Sequence, residues 1–499
     1  MKLVLFLIVM GFTSSIYANV NSDLPDLGLS ASARISSTQE YQLGRAIVRD
    51  LQRRGAILQD PELTAYIQAI GHRIAIHAHE GDQRFTFFVV DDPEINAFAL
   101  PGGFIGVHTG LIAATRNENE LAGVLAHEIA HVSQKHIARF IESQGQNSML
   151  TTAASLAAIL IGGLGGADSA AIGAAVQAVQ GASIQQRINF TRDNEYEADR
   201  VGVQFLYEAG FDPEGMPSFF QTLSRRNGVA GQQVPEFLRT HPVTRNRIAE
   251  TRNRAEQLPE RRVPSSMSYG LAKARLNILS KRSATVALSD IEARIEGHPS
   301  EERDDVQYAF GLALMRAGET QRAVELIEPL FKRNQATVAY HILYGEALFA
   351  DDQVDEALVR LGQSQRLFPR NVPLTMSHAS LLVDAGESEE ARTLMLDLVN
   401  NVDYTTEQLR ILALAANAAG YNGDAHYYMS EFHVLNGQLS LAADQLRLAL
   451  KSPDIRDYQF ARIETRLEEI EAVIVKSRRN QRRAPRAKPQ PLRDAVAAR

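Results

Sequence analysis

Apolar residues recur at helical spacing along most of this chain. Helices are predicted over residues 38–54 and 60–80, and the second has Asp60 as its cap, directly followed by a proline. A β-rich run at residues 85–90 precedes two short extended segments that flank a Pro-Gly-Gly turn at 101–103. The pattern therefore predicts a mainly α protein with a small β-hairpin or sheet in its N-terminal part.

The helix predicted between residue 120 and about residue 137 carries the most informative motif. Its apolar stripe predicts burial and consists of Leu121, Val124, Leu125, Ile129 and Val132. Within it, His127, Glu128 and His131 form an H-E-x-x-H motif. Residues four apart share a helix face, so the two imidazoles can hold one metal ion with Glu128 beside it, as in zincins. A buried helix that happens to carry two histidines is the alternative.

A second helix, predicted over residues 187–207, carries two carboxylates on one face. Glu195 and Asp199 are four residues apart. Glu195 can supply a third metal ligand, and Asp199 can hold a metal-bound histidine through its free N–H. Glu197 lies off this face and is assigned to the surface. Without the H-E-x-x-H motif, a solvated acidic helix would be the simplest interpretation.

A histidine after this helix is a further candidate. His241 precedes Pro242, so an extended or turn conformation is predicted there, from which the imidazole can reach into a cleft. An exposed loop histidine is the alternative. Arg247, six residues later, can stabilise an oxyanion or form a surface ion pair.

The extended segments upstream of the motif helix offer a place for substrate. An exposed edge at residues 96–104 can accept an extended peptide by strand addition. The predicted substrate contacts are Asn96, Ala97, Phe98, Gly102 and Gly103. A purely structural hairpin is equally compatible with the local sequence.

Composition narrows the metal chemistry. The 499 residues include no cysteine and no tryptophan, and the net charge of −7 gives no sign of nucleic-acid binding. Disulfides and thiolate ligands are therefore excluded. A zinc ion, one per subunit, would have to be held by histidine, carboxylate or water.

The chain begins with a predicted secretory signal peptide. Lys2 precedes an apolar core at residues 3–12, and a small-residue cleavage region ends near Ala18, which predicts export; an uncleaved anchor is the alternative. A second unusual segment, residues 148–184, is rich in glycine and alanine. It is predicted to be a lid or a membrane-contacting segment, with a true membrane span as the alternative.

A repeat occupies the C-terminal part of the chain. Ala323, Ala357, Ala391 and Ala425 are spaced by 34 residues, and small or turn residues at other positions share this spacing. This register is typical of tetratricopeptide repeats, which stack into an α-solenoid with a concave binding face. An unrelated helical bundle is the alternative.

The domain boundaries follow from these patterns. The predicted units are residues 19–262 for the metal-binding domain, 263–476 for the repeats, and 477–499 for a basic disordered tail. The tail could contact acidic lipid head groups or act only to keep the protein soluble.

The motifs together resemble the M48 family of zinc metallopeptidases. The matching pieces are N-A-F-A-L-P-G-G at 96–103, H-E-I-A-H at 127–131, E-Y-E-A-D at 195–199 and H-P at 241–242, and the resemblance covers about residues 35–255. It implies peptide hydrolysis with zinc on the two motif histidines and the first glutamate of E-Y-E-A-D. The glutamate of H-E-I-A-H would be the general base.

Export and the repeat array extend the resemblance to periplasmic members of the family that assist outer-membrane protein assembly. Such proteins are associated with the barrel-assembly machinery, and with maturation or degradation of the lipopolysaccharide-transport barrel. The resemblance thus implies a periplasmic protease that binds this machinery and unfolded or misassembled outer-membrane proteins through its repeats. Several integral-membrane relatives have clear transmembrane helices beside the motif, and their replacement here by the 148–184 segment favours a soluble or peripheral protein.

Two questions stay open at the level of sequence. His241 can be a fourth, inhibitory zinc ligand, or it can stabilise the oxyanion together with Arg247, and the resemblance is compatible with both. The function can also be that of a non-proteolytic assembly scaffold or chaperone with a structural zinc, or of a protease that uses residues 148–184 on a membrane. An intact Glu128 argues against a purely structural zinc, because such a site needs no base.

Overall fold

The computed structural model describes residues 36–78, 84–143, 192–227, 235–297 and 303–483. The predicted signal peptide and the glycine- and alanine-rich segment lie outside the described residues, so their predicted roles stay predictions. Within the part of the chain that is described, no helix combines the length and the apolar character needed to cross a membrane.

The N-terminal domain is mainly helical, as predicted. Its helices are α1 (Ser37–Arg53), α2 (Pro61–Ala75), α3 (Thr109–Ala114), α4 (Glu118–Ser133), α5 (His136–Ser143), α6 (Arg192–Glu208), α7 (Gly215–Asn227), α8 (Glu236–Thr240) and α9 (Arg245–Gln257). The predicted cap of α2 is confirmed, because the Asp60 side chain accepts a hydrogen bond from the backbone N–H of Leu63. The predicted end of the motif helix near residue 137 is wrong. Helix α4 ends at Ser133, Lys135 has a positive φ of 53°, and α5 begins at the next residue.

A three-stranded sheet adjoins these helices. Its strands are β1 (Thr86–Val90), β2 (Ala97–Leu100) and β3 (Phe104–His108), in the order β1-β3-β2. The antiparallel pairing of β2 with β3 confirms the predicted hairpin, and β1 confirms the β-rich run predicted at residues 85–90. The parallel pairing of β1 with β3 was not predicted. Gly102 and Gly103 form the turn with φ of 76° and 83°, a region that glycine occupies without strain.

Helix α4 is buried along its whole length, between the sheet and helices α2, α6 and α7. Two glycines allow this close packing. A Cβ atom at Gly123 would lie 2.8 Å from the backbone of Met216, and one at Gly202 would lie 3.1 Å from the carbonyl oxygen of Ala126. The motif helix is therefore the centre of the N-terminal core.

The repeats form a regular helical array. Its helices are α10 (Met267–Leu279), α11 (Ala284–Gly297), α12 (Asp304–Ala317), α13 (Thr320–Arg333), α14 (Val338–Ala350), α15 (Val354–Leu367), α16 (Val372–Asp384), α17 (Ser388–Asn401), α18 (Thr406–Ala418), α19 (Asn422–Leu435), α20 (Leu439–Ala449) and α21 (Asp457–Arg483). From α12 to α19 the first helices begin 34 residues apart, as do the second helices, which confirms the predicted solenoid. Helix α21 continues past residue 477, so the first part of the predicted disordered tail is helical. Residues 484–499 lie outside the description.

The array packs against the N-terminal domain at several points. Helix α10 contributes Leu276 to the core of the N-terminal domain and Ile278 to the core cluster of the first repeat helices. Helix α2 lies against α10 and α16, and Arg275 makes a 2.7 Å ion pair with Glu62. At the far end, Nε of Arg49 on α1 donates a 2.8 Å hydrogen bond to the carbonyl of Leu435, the last residue of α19. The boundary near residue 262 stays a prediction.

Candidate metal centre

Four predicted site residues converge in the N-terminal core. His127, His131, Glu195 and His241 each present one ligand atom, and these atoms lie within 4.8 Å of one another. The two Nε2 atoms of the motif histidines are 3.1 Å apart. Oε1 of Glu195 lies 3.4 Å from Nε2 of His131 and 3.1 Å from Nδ1 of His241. All four side chains are buried, so the cluster is a polar site inside an apolar core.

Helix α6 brings its carboxylates to the cluster because three of its residues share one face. Glu195, Asp199 and Gly202 are spaced by four and three residues, which places them one above the other toward α4. The missing side chain at Gly202 allows α6 to approach the backbone of α4 at Ala126. The close helix pair therefore sets the distance between the carboxylates and the motif histidines.

Asp199 and Arg247 hold the cluster from one side. Oδ1 of Asp199 lies 3.1 Å from Nδ1 of His127. Arg247 donates from Nε and Nη2 to the two oxygens of Asp199, each at 2.7 Å, and its Nη1 lies 2.7 Å from Oε2 of Glu195. Because Arg247 is only 2% exposed, the alternative of a surface ion pair is wrong. The guanidinium joins the two carboxylates of α6 in one buried network.

His241 reaches the cluster from the turn after α8. Its backbone N–H donates to the carbonyl of Phe237, and the two rings lie 4.9 Å apart. Its Nδ1 faces Glu195, and its Nε2 lies 3.5 Å from Oε1 of Glu128. The alternative of an exposed loop histidine is wrong, because His241 is 1% exposed. One imidazole thus borders both the ligand cluster and Glu128.

The electrostatics of the cluster suit a cation. Burial opposes ionisation of Glu195, but His241 and Arg247 outweigh it and hold the pKa of this carboxyl well below its usual range. Burial, with His127 nearby, lowers the pKa of His131 to about 3, which keeps its lone pair available. Burial also acts against a charged His127, yet the hydrogen-bonding carboxylates of Asp199 and Glu195 raise its pKa to about 9. Three imidazoles and one ionised carboxylate are a ligand set that zinc accepts.

Glu128 lies beside the cluster and next to the edge strand. Burial raises the pKa of its carboxyl, and the backbone N–H of Ala99 on β2 donates a hydrogen bond to it. The neighbouring Ala97 and Phe98 have buried side chains, so contact with a peptide would go through their backbone. The edge strand and the carboxylate are therefore adjacent.

The other predicted substrate contacts have structural roles. Asn96 is buried, and its carbonyl accepts the backbone N–H of His108. A side chain at Gly102 would meet the backbone of Tyr41 at 2.4 Å, and one at Gly103 would meet the carbonyl of Arg84. Their contact with substrate stays a prediction.

Two more residues lie next to the cluster: His136, which was not singled out from the sequence, and Glu197, which was assigned to the surface. Nδ1 of His136 lies 2.8 Å from Nδ1 of His131, and its Nε2 lies 3.1 Å from Oε2 of Glu197. Glu197 also accepts a hydrogen bond from Arg139, so its assignment to the solvated surface is incomplete. His136 follows the motif at a position that a continuous helix would have turned away from His131.

A buried pair of histidines on H-E-x-x-H, a glutamate from a second helix and a neighbouring general base define a metallopeptidase of the zincin type. Comparison with known proteins agrees. Residues 61–255 match the sequence model of Peptidase family M48. The chain is 32% identical over 462 residues to the "Beta-barrel assembly-enhancing protease" of Escherichia coli (strain K12), an alignment that covers 92% of this chain and 94% of the relative. The chain therefore belongs to peptidase family M48 and is a metallopeptidase that carries tetratricopeptide repeats.

Two further relatives are similar over a smaller part of the chain. A "Putative beta-barrel assembly-enhancing protease" of Vibrio cholerae is 37% identical over 317 residues, which covers 62% of this chain and 63% of that protein. The "Mitochondrial metalloendopeptidase OMA1" of Schizosaccharomyces pombe is 30% identical over 205 residues, with 41% of this chain and 56% of that protein covered. These similarities support the predicted class of enzyme.

Proposed function

We propose that this chain is an exported zinc metalloendopeptidase of the periplasm that promotes the assembly of outer-membrane β-barrel proteins and degrades misassembled ones. The convergence of His127, His131 and Glu195 beside the buried carboxylate of Glu128 carries the proposal. The predicted signal peptide supports the compartment. The similarity over nearly the whole chain to proteins named for beta-barrel assembly supports the process.

The residues of the site divide the work of peptide hydrolysis. His127, His131 and Glu195 would hold the zinc ion, with Asp199 orienting His127. A zinc ion held there would supply Lewis-acid activation of the scissile carbonyl and of the attacking water. Glu128 accepts the proton of this water and delivers it to the leaving amine, and its raised pKa brings its basicity closer to neutral pH.

His241 acts in the resting enzyme as a fourth, inhibitory ligand. Its Nδ1 lies among the ligand atoms, where it would take the position of the catalytic water. Its Nε2 borders Glu128 and shields the base. Arg247 is a positioning residue, since three of its nitrogens already contact Asp199 and Glu195. These contacts favour the inhibitory role of His241 over an oxyanion pair with Arg247.

One observation favours the alternative of a non-proteolytic scaffold or chaperone. A set of four protein ligands is typical of structural zinc sites, and His241 completes such a set here. A structural site, however, gives no reason to bury the carboxylate of Glu128 beside the metal. The two functions differ in whether the carboxylate of Glu128 is needed.

The experiment compares the wild type with Glu128→Gln for zinc content, cleavage of casein or a misfolded barrel protein, and rescue of outer-membrane integrity. We expect Glu128→Gln to retain zinc and to lose cleavage by about 10²–10⁴-fold, because the ligands remain and the base is gone. Glu260→Gln is the control, since its side chain is 76% exposed and lies outside the metal-ligand cluster. Cleavage by Glu128→Gln at the wild-type rate, or full rescue without cleavage, would favour the scaffold.

The repeats supply the binding surface for the assembly machinery and for unfolded barrel proteins. Leu414 on α18, a first helix of its unit, is 48% exposed, and Val359 on the second helix α15 is 57% exposed. First helices line the binding side of such arrays. Leu414→Glu should therefore reduce pull-down of barrel-assembly components by the full-length protein, and Val359→Glu should not. Equal pull-down by both variants would argue against this surface.

A further inference from the structure

We propose that His136 and Glu197 form a positioning pair that fixes the tautomer and orientation of His131 as a metal ligand. The inference rests on the proposed zinc site. Neither residue is one of the proposed metal ligands. Glu197 belongs to the E-Y-E-A-D motif, but no role in the site has been assigned to it above. His136 is fully buried, whereas the side chain of Glu197 is 30% exposed.

The direction of the hydrogen bonds follows from the geometry. Two ring nitrogens 2.8 Å apart, Nδ1 of His131 and Nδ1 of His136, must include one N–H and one lone pair. The Nε2 of His131 points into the ligand cluster, so binding a metal requires its lone pair there. The proton of His131 is then on Nδ1 and is donated to His136.

The second hydrogen bond joins His136 to Glu197. With Nδ1 of His136 accepting, its remaining proton is on Nε2, which lies 3.1 Å from Oε2 of Glu197. An ionised carboxylate only accepts hydrogen bonds. When His131 binds a metal, the hydrogen bonds therefore have one consistent direction: His131 donates to His136, and His136 donates to Glu197. The alternative tautomer of His131 would leave two lone pairs facing each other.

The other motif histidine is held by the same chemistry in a shorter form. Asp199 lies directly against Nδ1 of His127 and is itself bound by Arg247. Carboxylates that hold a metal-bound histidine are a general feature of zinc sites. For His131, an imidazole is inserted between the ligand and the carboxylate.

The break after α4 makes this arrangement possible. Lys135 in a left-handed conformation turns the chain so that α5 begins at His136, under His131. Nη2 of Arg139 on α5 donates 2.8 Å to the carbonyl of Gln134 and 3.2 Å to Glu197. Arg139 thus ties the start of α5 to the carboxylate of α6.

The test measures zinc affinity by competition with a chelator, together with the visible spectrum of the cobalt-substituted protein. We expect His136→Leu and Glu197→Ala to weaken zinc binding by about 10–100-fold and to change the cobalt spectrum. Glu197→Gln keeps an acceptor oxygen and should bind zinc nearly as the wild type does. His341→Leu removes a buried histidine of the repeats and is the control for loss of stability alone.

The outcomes separate this inference from the proposed function. Zinc binding by His136→Leu within about twofold of the wild type, at an unchanged cobalt spectrum, overturns the inference and leaves the proposed function intact. A wild type that binds no zinc overturns the proposed function and the inference with it. If His136→Leu does not fold, Glu197→Ala, at a partly exposed position, replaces it: zinc binding within about twofold of the wild type, at an unchanged cobalt spectrum, again overturns the inference.

Discussion

Arg247 offers a prediction whose size follows from the structure. The guanidinium is 2% exposed and makes three contacts of 2.7 Å with two buried carboxylates, Glu195 and Asp199. Replacing it with methionine keeps the apolar stem but leaves two buried negative charges without their cation. Breaking a buried ion pair in this way costs about 3–5 kcal/mol. Arg247→Met should therefore lower the free energy of unfolding by about this amount in zinc-free protein.

Zinc should offset part of this loss. A bound cation compensates the charge of Glu195 but not that of Asp199, which lies behind His127. We therefore expect the difference between Arg247→Met and the wild type to shrink when zinc is added, and zinc affinity to fall because both carboxylates are less well oriented. Arg247→Lys keeps the positive charge but cannot bind both carboxylates as the planar guanidinium does. Its free energy of unfolding should therefore lie between those of the wild type and Arg247→Met.

The assay is urea unfolding followed by circular dichroism, with and without zinc, because the chain has no tryptophan to report on unfolding. Arg252→Met is the matched control. This residue is on the same helix, its side chain is 36% exposed, and its 3.3 Å ion pair with Glu214 should contribute less than about 1 kcal/mol. The reasoning is refuted if Arg247→Met unfolds within about 1 kcal/mol of the wild type and binds zinc equally well.

Three further predictions concern control, pH and packing. His241→Ala should cleave casein faster than the wild type at equal zinc occupancy, because an inhibitory ligand is lost; a large fall in rate would instead assign His241 to the oxyanion. Burial lowers the pKa of His378 in the repeats to about 4, so between pH 6.5 and 4 the unfolded chain takes up a proton that the folded one does not. His378 should then contribute a loss of about 2 kcal/mol in the free energy of unfolding between pH 7 and 5. Denaturant titration at both pH values should show a loss that is smaller by this amount in His378→Gln than in the wild type. Gly123→Ala should destabilise by about 1–3 kcal/mol, since its Cβ would meet the backbone of α7 at 2.8 Å. Gly297→Ala, whose Cβ would meet no atom of the described residues within 4 Å, should not lower the midpoint of thermal unfolding; equal effects of the two substitutions would contradict the packing argument.

The residues of the motif helix were predictable because their chemistry depends on local spacing. His127 and His131 share a face at four residues apart, and no other element is needed to place them together. Glu195 is on another helix; its four-residue spacing from Asp199 offered it as a third ligand, but no local pattern showed that the two helices meet. His241 was selected for its position before proline, but its burial depends on the packing of α8 and could not be derived from the sequence.

The position of His136 could not be predicted from local spacing. A helix continued from α4 would turn residue 136 about 140° away from His131, since five residues rotate by about 500°. The left-handed conformation of Lys135 reverses this direction, and lysine gives no sequence signal for it. The periodicity of the repeats, in contrast, gave the register of eight helices, because each unit repeats the same local contacts. The contact between α2 and the repeats joins distant parts of the chain and has no local pattern at all.

Because of that contact, α2 covers part of the surface of the repeats and would compete with any protein that binds there. The helix lies against α10 and α16, and Tyr308 on α12 adds a 3.4 Å hydrogen bond to Glu62. A covalently linked segment acts at an effective concentration on the order of millimolar. A free protein that seeks the same surface must therefore displace a partner that is always present, and its apparent affinity falls accordingly. The same helix carries Ile67 and Ile70 of the catalytic core, so occupying this surface would also withdraw support from the metallopeptidase domain.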